Sequence, residues 1–383
     1  MSLGLFVLTG LDRDELFASF SRYVSSRSDN DFCDFVNKIY ASQAENNLTL
    51  YIENLIVSDD NVFARTCATN DKPSAYLING FISDLKKIYE AISSIKESPL
   101  FSVGKFYTLS GNPELDATAL SAFYRDNGYG QFILNRAFIF DGNGISPVAM
   151  PSTVTLEDLK DYLEEKKIVL SNIENFLTGL PHSNMLLYGE RGTGKSSTIH
   201  AIVNKFFSRK LRIVEVKKEN LFALAKLKAM LASVPMRFIV FIDDLSLPSG
   251  DERISTLKAT LEGTLEGNSD NTMIVATSNR RHIVDEKFSV RNDSVHAGDS
   301  MQEELSLSDR FGISVLFAST TKPQYLSIVR QLAVDFGITT PTDTLELLAE
   351  RWAIAKGGRS PRRAKQFVSM LSSAESRGAE LEF

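Results

Sequence analysis

Two clusters in this chain have residue types and spacing that could do chemistry. The first is Gly189-Glu190-Arg191-Gly192-Thr193-Gly194-Lys195-Ser196, followed by Ser197, and it fits GxxxxGK[ST] at every defined position. Glycines there let backbone N–H groups converge on phosphate oxygens without Cβ clashes, and the start of a following helix adds partial positive charge. Lys195 is then placed to reach the β- and γ-phosphates of a nucleoside triphosphate, and the Ser196 hydroxyl to join the coordination shell of Mg²⁺. The second cluster is Phe238-Ile239-Val240-Phe241-Ile242-Asp243-Asp244, an apolar run ending in two carboxylates. Asp243 would hold Mg²⁺ through water, and Asp244 would orient or deprotonate an attacking water. The chemically silent alternatives are a glycine-rich turn and a strand end with solvated acids. The two clusters together argue against both.

Elements that could position these residues follow in order. Asn184 to Tyr188 reads as a strand into the glycine loop, and Lys195 to about Phe207 as the helix out of it. Strands are expected at Leu211 to Val216, Arg237 to Ile242, Met273 to Thr277 and Ile313 to Phe317, with helices at Glu219 to Leu231 and Ile254 to Leu261 between them. This alternation predicts an α/β fold, a parallel sheet covered on both faces. The strand Leu211 to Val216 lies in sequence between the two motifs, so their own strands should be separated in the sheet by another. Beyond Thr320 the pattern is helical: Gln324 to Phe336, Thr342 to Ala355 and Pro361 to Leu371. Upstream, a helix is expected from about Glu157 to Phe176, ended by Gly179-Leu180-Pro181. Gln131 to Phe140 reads as strand-like and leads through Asp141-Gly142-Asn143-Gly144 into a hairpin or extended linker.

The rest of the chain bounds the classes of function. Its 383 residues suit two to three domains. Expected boundaries are 1–125 for a mostly helical N-terminal domain, 126–150 for a hairpin or linker, 151–321 for the nucleotide-binding core and 322–383 for a helical lid. Two cysteines and four isolated histidines leave little for a metalloenzyme, a triad hydrolase or a disulfide scaffold, and they suit a reducing compartment. The apolar run Leu3 to Leu11 has no basic n-region and reads as a buried strand or helix start. With no stretch of about 18 apolar residues, the expected address is the cytoplasm, away from membranes. Residues 1–125 hold 11 basic and 16 acidic side chains, most of the net charge of −6. That surface would repel phosphate backbones. The aromatic residues there have helical spacing and read as core.

Three further positions sharpen the reading. Met273 to Asn279 is a strand ending in an amide that could hydrogen-bond water or the γ-phosphate, or could simply make a turn. Leu305 to Phe311 puts Arg310 just before a strand, where it could also be a surface ion-pair partner. Gly358-Arg359-Ser360-Pro361-Arg362-Arg363 opens a helix with cations at its N-terminus. Cations oppose the helix dipole there, which invites an anionic partner. No Asn-Lys-x-Asp box for guanine is present, and no LSGGQ-like signature follows the glycine loop.

Residues from about 150 to 372 resemble the AAA+ class of ATPases. Residues from about 127 onward, including Ser278-Asn279-Arg280-Arg281-His282 and Leu305 to Gly312, resemble a bacterial group of AAA+ proteins described only as a domain of unknown function. The likeness covers roughly two thirds of the chain. It implies a five-stranded parallel αβα core, a C-terminal helical lid, and Mg-ATP in the cleft between them. On that pattern Asn279 matches the sensor-1 position, Arg310 the arginine finger and Arg362 sensor 2, with Arg359 and Arg363 as alternates. The resemblance also implies a homo-oligomer, because an arginine finger of this class completes a neighbouring subunit's site. Many such proteins carry Asp-Glu where this chain has Asp243-Asp244. The shorter second side chain places the base differently and allows slow turnover, although replication-initiator relatives use paired aspartates.

Three functions fit these observations: an ATPase that remodels an unidentified protein client, a DNA-associated helicase-loader-like factor, and a nucleotide-dependent switch or scaffold with little hydrolysis. For nucleic acid the support is two basic groups, Arg280-Arg281-His282 and Lys205, Arg209, Lys210, Arg212, offset by nearby acids. The polar stretch Val284 to Leu305, with His296, Asp299 and Glu303, reads as an ordinary charged loop near a subunit interface.

Overall fold

The computed structural model describes residues 3–69, 71–95, 99–248, 251–262, 271–279, 284–285, 307 and 309–378. The chain divides into two compact units: Met1–Asn135 with Ala232–Met236, and Arg136–Leu231 with Arg237–Phe383.

The first unit is helical: α1 (Glu15–Ser26), α2 (Asp29–Ala41), α3 (Leu48–Ser58), α4 (Val62–Ala68), α5 (Ala75–Ser93), α6 (Pro113–Asn127) and α7 (Gln131–Leu134). Side-chain caps set several of the helix starts. Asp14, Ser28, Asn47, Asn61, Ser74 and Asn112 each accept a backbone N–H of the first turn. Phe17, Phe20, Phe35, Phe63, Phe81 and Tyr124 fill the core, so the aromatic spacing here is packing. The Leu3 to Leu11 run departs from expectation. It is an irregular segment leading into a 3₁₀ turn at Thr9–Arg13, and its amides at Phe6, Val7 and Leu8 are satisfied by the buried Asp84 carboxylate at 2.7–3.0 Å. Glu53 does the same for the amides of Tyr107, Thr108 and Leu109. A carboxylate that collects several backbone donors replaces the partners a strand would have supplied.

The second unit is built on a sheet of seven strands: β1 (Ala137–Phe140), β2 (Ile145–Pro147), β3 (Met185–Gly189), β4 (Leu211–Val216), β5 (Arg237–Ile242), β7 (Thr272–Ser278) and β9 (Ile313–Phe317), with the short pair β6 (Leu247–Pro248) and β8 (Val284–Asp285) apart from it. The spatial order is β2-β1-β4-β5-β7-β3-β9. Six strands are parallel, and β2 is antiparallel to β1. The five expected core strands are therefore present and contiguous. Of the hairpin or linker expected here, the hairpin is what forms: β1 and β2 are antiparallel and extend the sheet beyond β4, while the stretch read as strand from Gln131 begins instead as the short helix α7. The strands β3 and β5 are separated by β7, which thereby brings its C-terminal residues between the two motifs.

Four helices accompany the sheet in sequence: α8 (Leu163–Thr178), α9 (Lys195–Phe206), α10 (Leu224–Ala232) and α11 (Glu252–Glu262). Helix α8 starts six residues later than the periodicity predicts, because Asp161 and Tyr162 take φ of 65° and 55° and break any helix before them. Val169, Ile173 and Phe176 on α8 pack with Ile199, Ile202 and Phe206 on α9 against the sheet.

The last three helices, α12 (Lys322–Asp335), α13 (Thr342–Ala355) and α14 (Pro361–Glu375), share a core of Tyr325, Val329, Ala349, Trp352, Phe367 and Leu371. Helix α12 opens on a capping box between Thr321 and Gln324. Helix α14 opens on Ser360, whose hydroxyl accepts the Arg363 N–H at 3.3 Å, with Pro361 in its first turn.

Candidate functional site

Strand β3 delivers the glycine loop at its C-terminal end. Gly189 takes φ 132°, and a Cβ there would stand 2.0 Å from the Phe317 carbonyl oxygen of β9. Only glycine lets the two strands approach this closely at that point. Gly194 caps α9 in the left-handed region at φ 99°. The loop is braced internally by Thr193, whose hydroxyl donates to Glu190 O at 2.8 Å.

Lys195 is buried, and its ammonium donates to Gly189 O at 2.9 Å and Glu190 O at 2.8 Å. Burial pushes its pKa below the ordinary lysine value, and the charges of Asp243 and Asp244 oppose that shift. Ser196 Oγ donates to Asp243 Oδ1 at 2.6 Å, which joins the first residue pair of α9 to the end of β5. Asp244 follows at φ 50°, a left-handed turn off the strand. Its carboxylate Oδ1 accepts the Asn279 amide at 2.5 Å.

A cavity of about 360 Å³ lies over these groups, lined by Arg191, Gly192, Gly194, Lys195, Ser196, Ser197, Asp243, Asp244, Thr277, Asn279 and Arg362. Most of the residues singled out in the sequence thus meet in one place. Gly189, Glu190 and Thr193 act from below it as the loop's frame. The position that sequence reasoning missed is Thr277. Its buried hydroxyl donates to Asp243 Oδ1 at 2.5 Å and accepts the Asp244 N–H at 2.9 Å. The signal was its place two residues before Asn279 on a strand ending beside β5.

The three arginines that open α14 separate by partner. Arg359 forms a forked pair with Glu350, at 2.9 and 2.7 Å. Arg363 turns back on the chain, with Nη1 3.0 Å from where a Cβ on Gly358 would be. Arg362 lines the cavity, and its own backbone N–H donates to Gly192 O at 3.2 Å. Arg310 is elsewhere. It is exposed, three residues before β9, and β9 runs parallel to β3 with Ile313 beside Met185 and Phe317 beside Gly189. Four strand residues at about 3.3 Å each put Ile313 roughly 13 Å along β9 from the residue beside Gly189, and Arg310 precedes Ile313 in the chain.

A second cavity, of about 290 Å³, adjoins the loop at Gly192–Gly194 and is walled by Asp161, Tyr162, Ile328, Leu332 and Pro361 among others. Ile328 and Leu332 reach it from α12. Tyr162 is buried there, stacked on Phe317 at 5.4 Å between ring centroids.

Of the basic groups, Arg280-Arg281-His282 lies outside the described residues, as do His296, Asp299 and Glu303. In the other group Arg212 is no solvated cation. It is buried, donates to Phe207 O at 2.9 Å and lies 4.1 Å from the Phe207 ring centroid, and burial pulls its pKa down to about 10. Among the described residues no group of three His, Cys, Asp or Glu could hold a metal ion, and no helix is long and apolar enough to cross a membrane.

Residues 134–375 match the family described as Protein of unknown function (DUF815). No curated protein matches the chain. Among solved structures, the chain is similar to the RuvB Holliday junction branch migration motor of Thermotoga maritima at 17% identity and TM-score 0.38, covering 57% of this chain and 64% of that one. It is similar to the Aeropyrum pernix ORC1 protein in complex with DNA at 18% identity and TM-score 0.43, covering 58% and 64%. For the Aeropyrum pernix ORC2 protein in its ADPNP-ADP complexes the values are 16%, 0.42, 60% and 66%. The chain spans less than two thirds of the length of each of these structures.

Proposed function

The chain belongs to the family described as Protein of unknown function (DUF815), and from its own residues we propose that it is a Mg²⁺-dependent AAA+ ATPase that acts as an oligomer on a protein partner. The observation that carries this is the contact of Ser196 with Asp243 at 2.6 Å, in the cavity that the buried Lys195 also lines. A hydroxyl and a carboxylate sharing one opening, beside an ammonium and a row of loop amides, fit a divalent cation and a phosphate chain. Mg²⁺ held there would neutralise charge developing on the phosphates.

The chain's own residues divide the remaining work. Lys195 exchanges Gly189 O and Glu190 O for phosphate oxygens. Asp244, steered by Asn279, faces the cavity and takes the proton of an attacking water. Arg362 links the lid to the γ-phosphate, so that lid position follows nucleotide state. Arg310, at the far end of the sheet from its own loop, serves a neighbouring copy. Adenosine enters the adjoining cavity against Ile328 and Leu332.

A second reading, a switch with little turnover, draws support from Asp244. The carboxylate is short, sits on a left-handed residue, and already accepts the Asn279 amide. A client or nucleic-acid strand handled by the oligomer belongs to the same proposal at a finer level.

One experiment tests nucleotide, turnover and assembly together. Calorimetry with Mg-ATP should give heat for the wild type and none for Lys195→Ala. Turnover per subunit should then rise with protein concentration, and should fall on mixing with Arg310→Ala protein. Wild-type protein without heat would end the nucleotide reading. Turnover per subunit independent of concentration would end the shared-site reading, and no turnover at any concentration would select the switch.

A further inference from the structure

A third cavity, an open groove of about 760 Å³, lies on the lid. Its apolar lining is Phe336, which follows α12, Trp352 of α13 and Met370 of α14. Its charged lining is Lys356, which follows α13, and Arg362 and Lys365 in the first turns of α14. Among the described residues no carboxylate lines it. The ion pairs within the lid, Lys322 and Arg359 with Glu350 and Arg330 with Glu346, use other cations. Asp158, whose carboxyl feels the Lys365 charge, lines the 290 Å³ cavity and not this groove.

Two physical features make the groove a surface for a partner. At the start of α14 the helix dipole adds to the Arg362 and Lys365 charges instead of offsetting them, so this side of the lid attracts anions. Phe336 and Met370 are 38% and 42% exposed, apolar area that gains from being covered. Methionine and aromatic side chains beside cations are the composition of protein interfaces. A small anion would leave the apolar lining uncovered. A nucleic-acid strand would want an open ring face for stacking. Trp352 does not offer one: it is buried, and the Lys356 ammonium stands 4.8 Å from its ring centroid.

We propose that this groove docks an acidic segment of a protein partner, with one or two large apolar side chains set among its carboxylates. The apolar side chains cover Phe336, Trp352 and Met370, and the carboxylates meet Lys356, Arg362 and Lys365. The inference rests on the reading that the chain acts on a protein partner and names what that partner presents; it is independent of nucleotide.

Trp352 is the only tryptophan of the sequence, so the chain's own emission reports on this groove. At low salt the peptide EEFEELEE should change that emission to saturation. KKFKKLKK, with the charge reversed, and EESEESEE, with the apolar side chains removed, should each bind at least about tenfold more weakly. Lys356 and Met370 are exposed and, of the three cavities, line this one alone. Lys356→Glu and Met370→Glu should each weaken fluorescein-labelled EEFEELEE by about tenfold or more in anisotropy, with the melt and the Mg-ATP heat unchanged; either variant stands in if the other does not fold. No response to EEFEELEE overturns the proposal, and so does equal binding of all three peptides. A stronger response to a short oligothymidylate would give the groove to nucleic acid, and emission that varies with protein concentration alone would give it to a second copy; either result overturns the proposal. So does peptide binding lost in Lys195→Ala but kept in Lys356→Glu, which would place the peptide on the glycine loop. Mg-ATP heat is read separately, so lost peptide binding with normal heat defeats this inference and leaves the nucleotide reading standing.

Discussion

Thr277 holds Asp243 and the backbone of Asp244 with one hydroxyl, donating to the first at 2.5 Å and accepting from the second at 2.9 Å. Because β7 lies between β3 and β5, the residue at its end is the one that can fix the carboxylate pair against the glycine loop. Thr277→Val keeps the shape and removes both bonds. Leaving the Asp244 amide without a partner should cost about 1–3 kcal/mol of stability. With Asp244 released, turnover should fall by about tenfold or more while ATP affinity stays within about threefold. Thr277→Ser should restore most of both. Steady-state kinetics beside calorimetry reads the split; a loss of affinity equal to the loss of turnover would mean that Thr277 serves the loop, not the carboxylates.

Arg359 and Arg362 are three residues apart and should behave differently. Arg362→Ala removes a cation from the phosphate cavity and should weaken ATP binding by about tenfold or more, with little change in melting temperature. Arg359→Ala breaks the fork to Glu350, a pair inside the lid and partly exposed, so it should cost no more than about 1 kcal/mol of stability, seen as a small fall in melting temperature, and leave ATP affinity near normal. Thermal melts and ATP titrations on the two variants check this; exchanged phenotypes would reassign the lid arginine.

Gly189 is required by packing before it is required by phosphate. A Cβ at 2.0 Å from Phe317 O cannot be absorbed by a side-chain rotation, because the obstacle is backbone. Gly189→Ala should therefore push β9 from β3 and cost several kcal/mol, on the order of other severe steric insertions. The melting temperature without nucleotide is the decisive readout. An unaltered melt with lost ATP binding would show that the glycine serves the ligand alone.

The parts legible in the sequence were those with a local cause. The apolar runs at Phe238 to Ile242 and Met273 to Thr277 are buried parallel strands, and the glycine loop sits between a strand and a helix because its spacing allows nothing else. Pro361 after Ser360 marked the start of α14. What stayed hidden depended on distant partners. Leu3 to Leu11 read as a buried strand or helix start because it is apolar, and only the fold reveals that Asp84 supplies partners for its amides. The 137–147 hairpin was legible, but not its place in the sheet, because nothing local records that β4 leaves an edge for it. Arg212 looked like a surface cation until Phe207 covered it. Among Arg359, Arg362 and Arg363 the resemblance put Arg362 first and left the others as alternates, and Glu350 and Gly192 are the partners that separate Arg359 from Arg362.

Asp59 gives the helical unit a stability that depends on pH in an unusual direction. Burial pushes its carboxyl up to about 6, with the Asn61 side chain opposing and Asp60 adding to the shift. Gly10 lies against it, so closely that a Cβ there would stand 2.0 Å from Asp59 Oδ1. Because the folded chain holds this proton more tightly than the unfolded chain, whose carboxyl titrates near 3.8, the stabilising contribution is complete below about pH 4 and is lost as pH rises through about 6. After discounting for partial exposure, the loss is on the order of 2 kcal/mol. Asp59→Asn keeps the size and removes the charge. Relative to wild type it should gain melting temperature between pH 4 and 7 and reach its full advantage above pH 6.5. Comparing the two melts across that range cancels every other titrating group. A constant difference between them would place the charged carboxylate of Asp59 in contact with solvent after all.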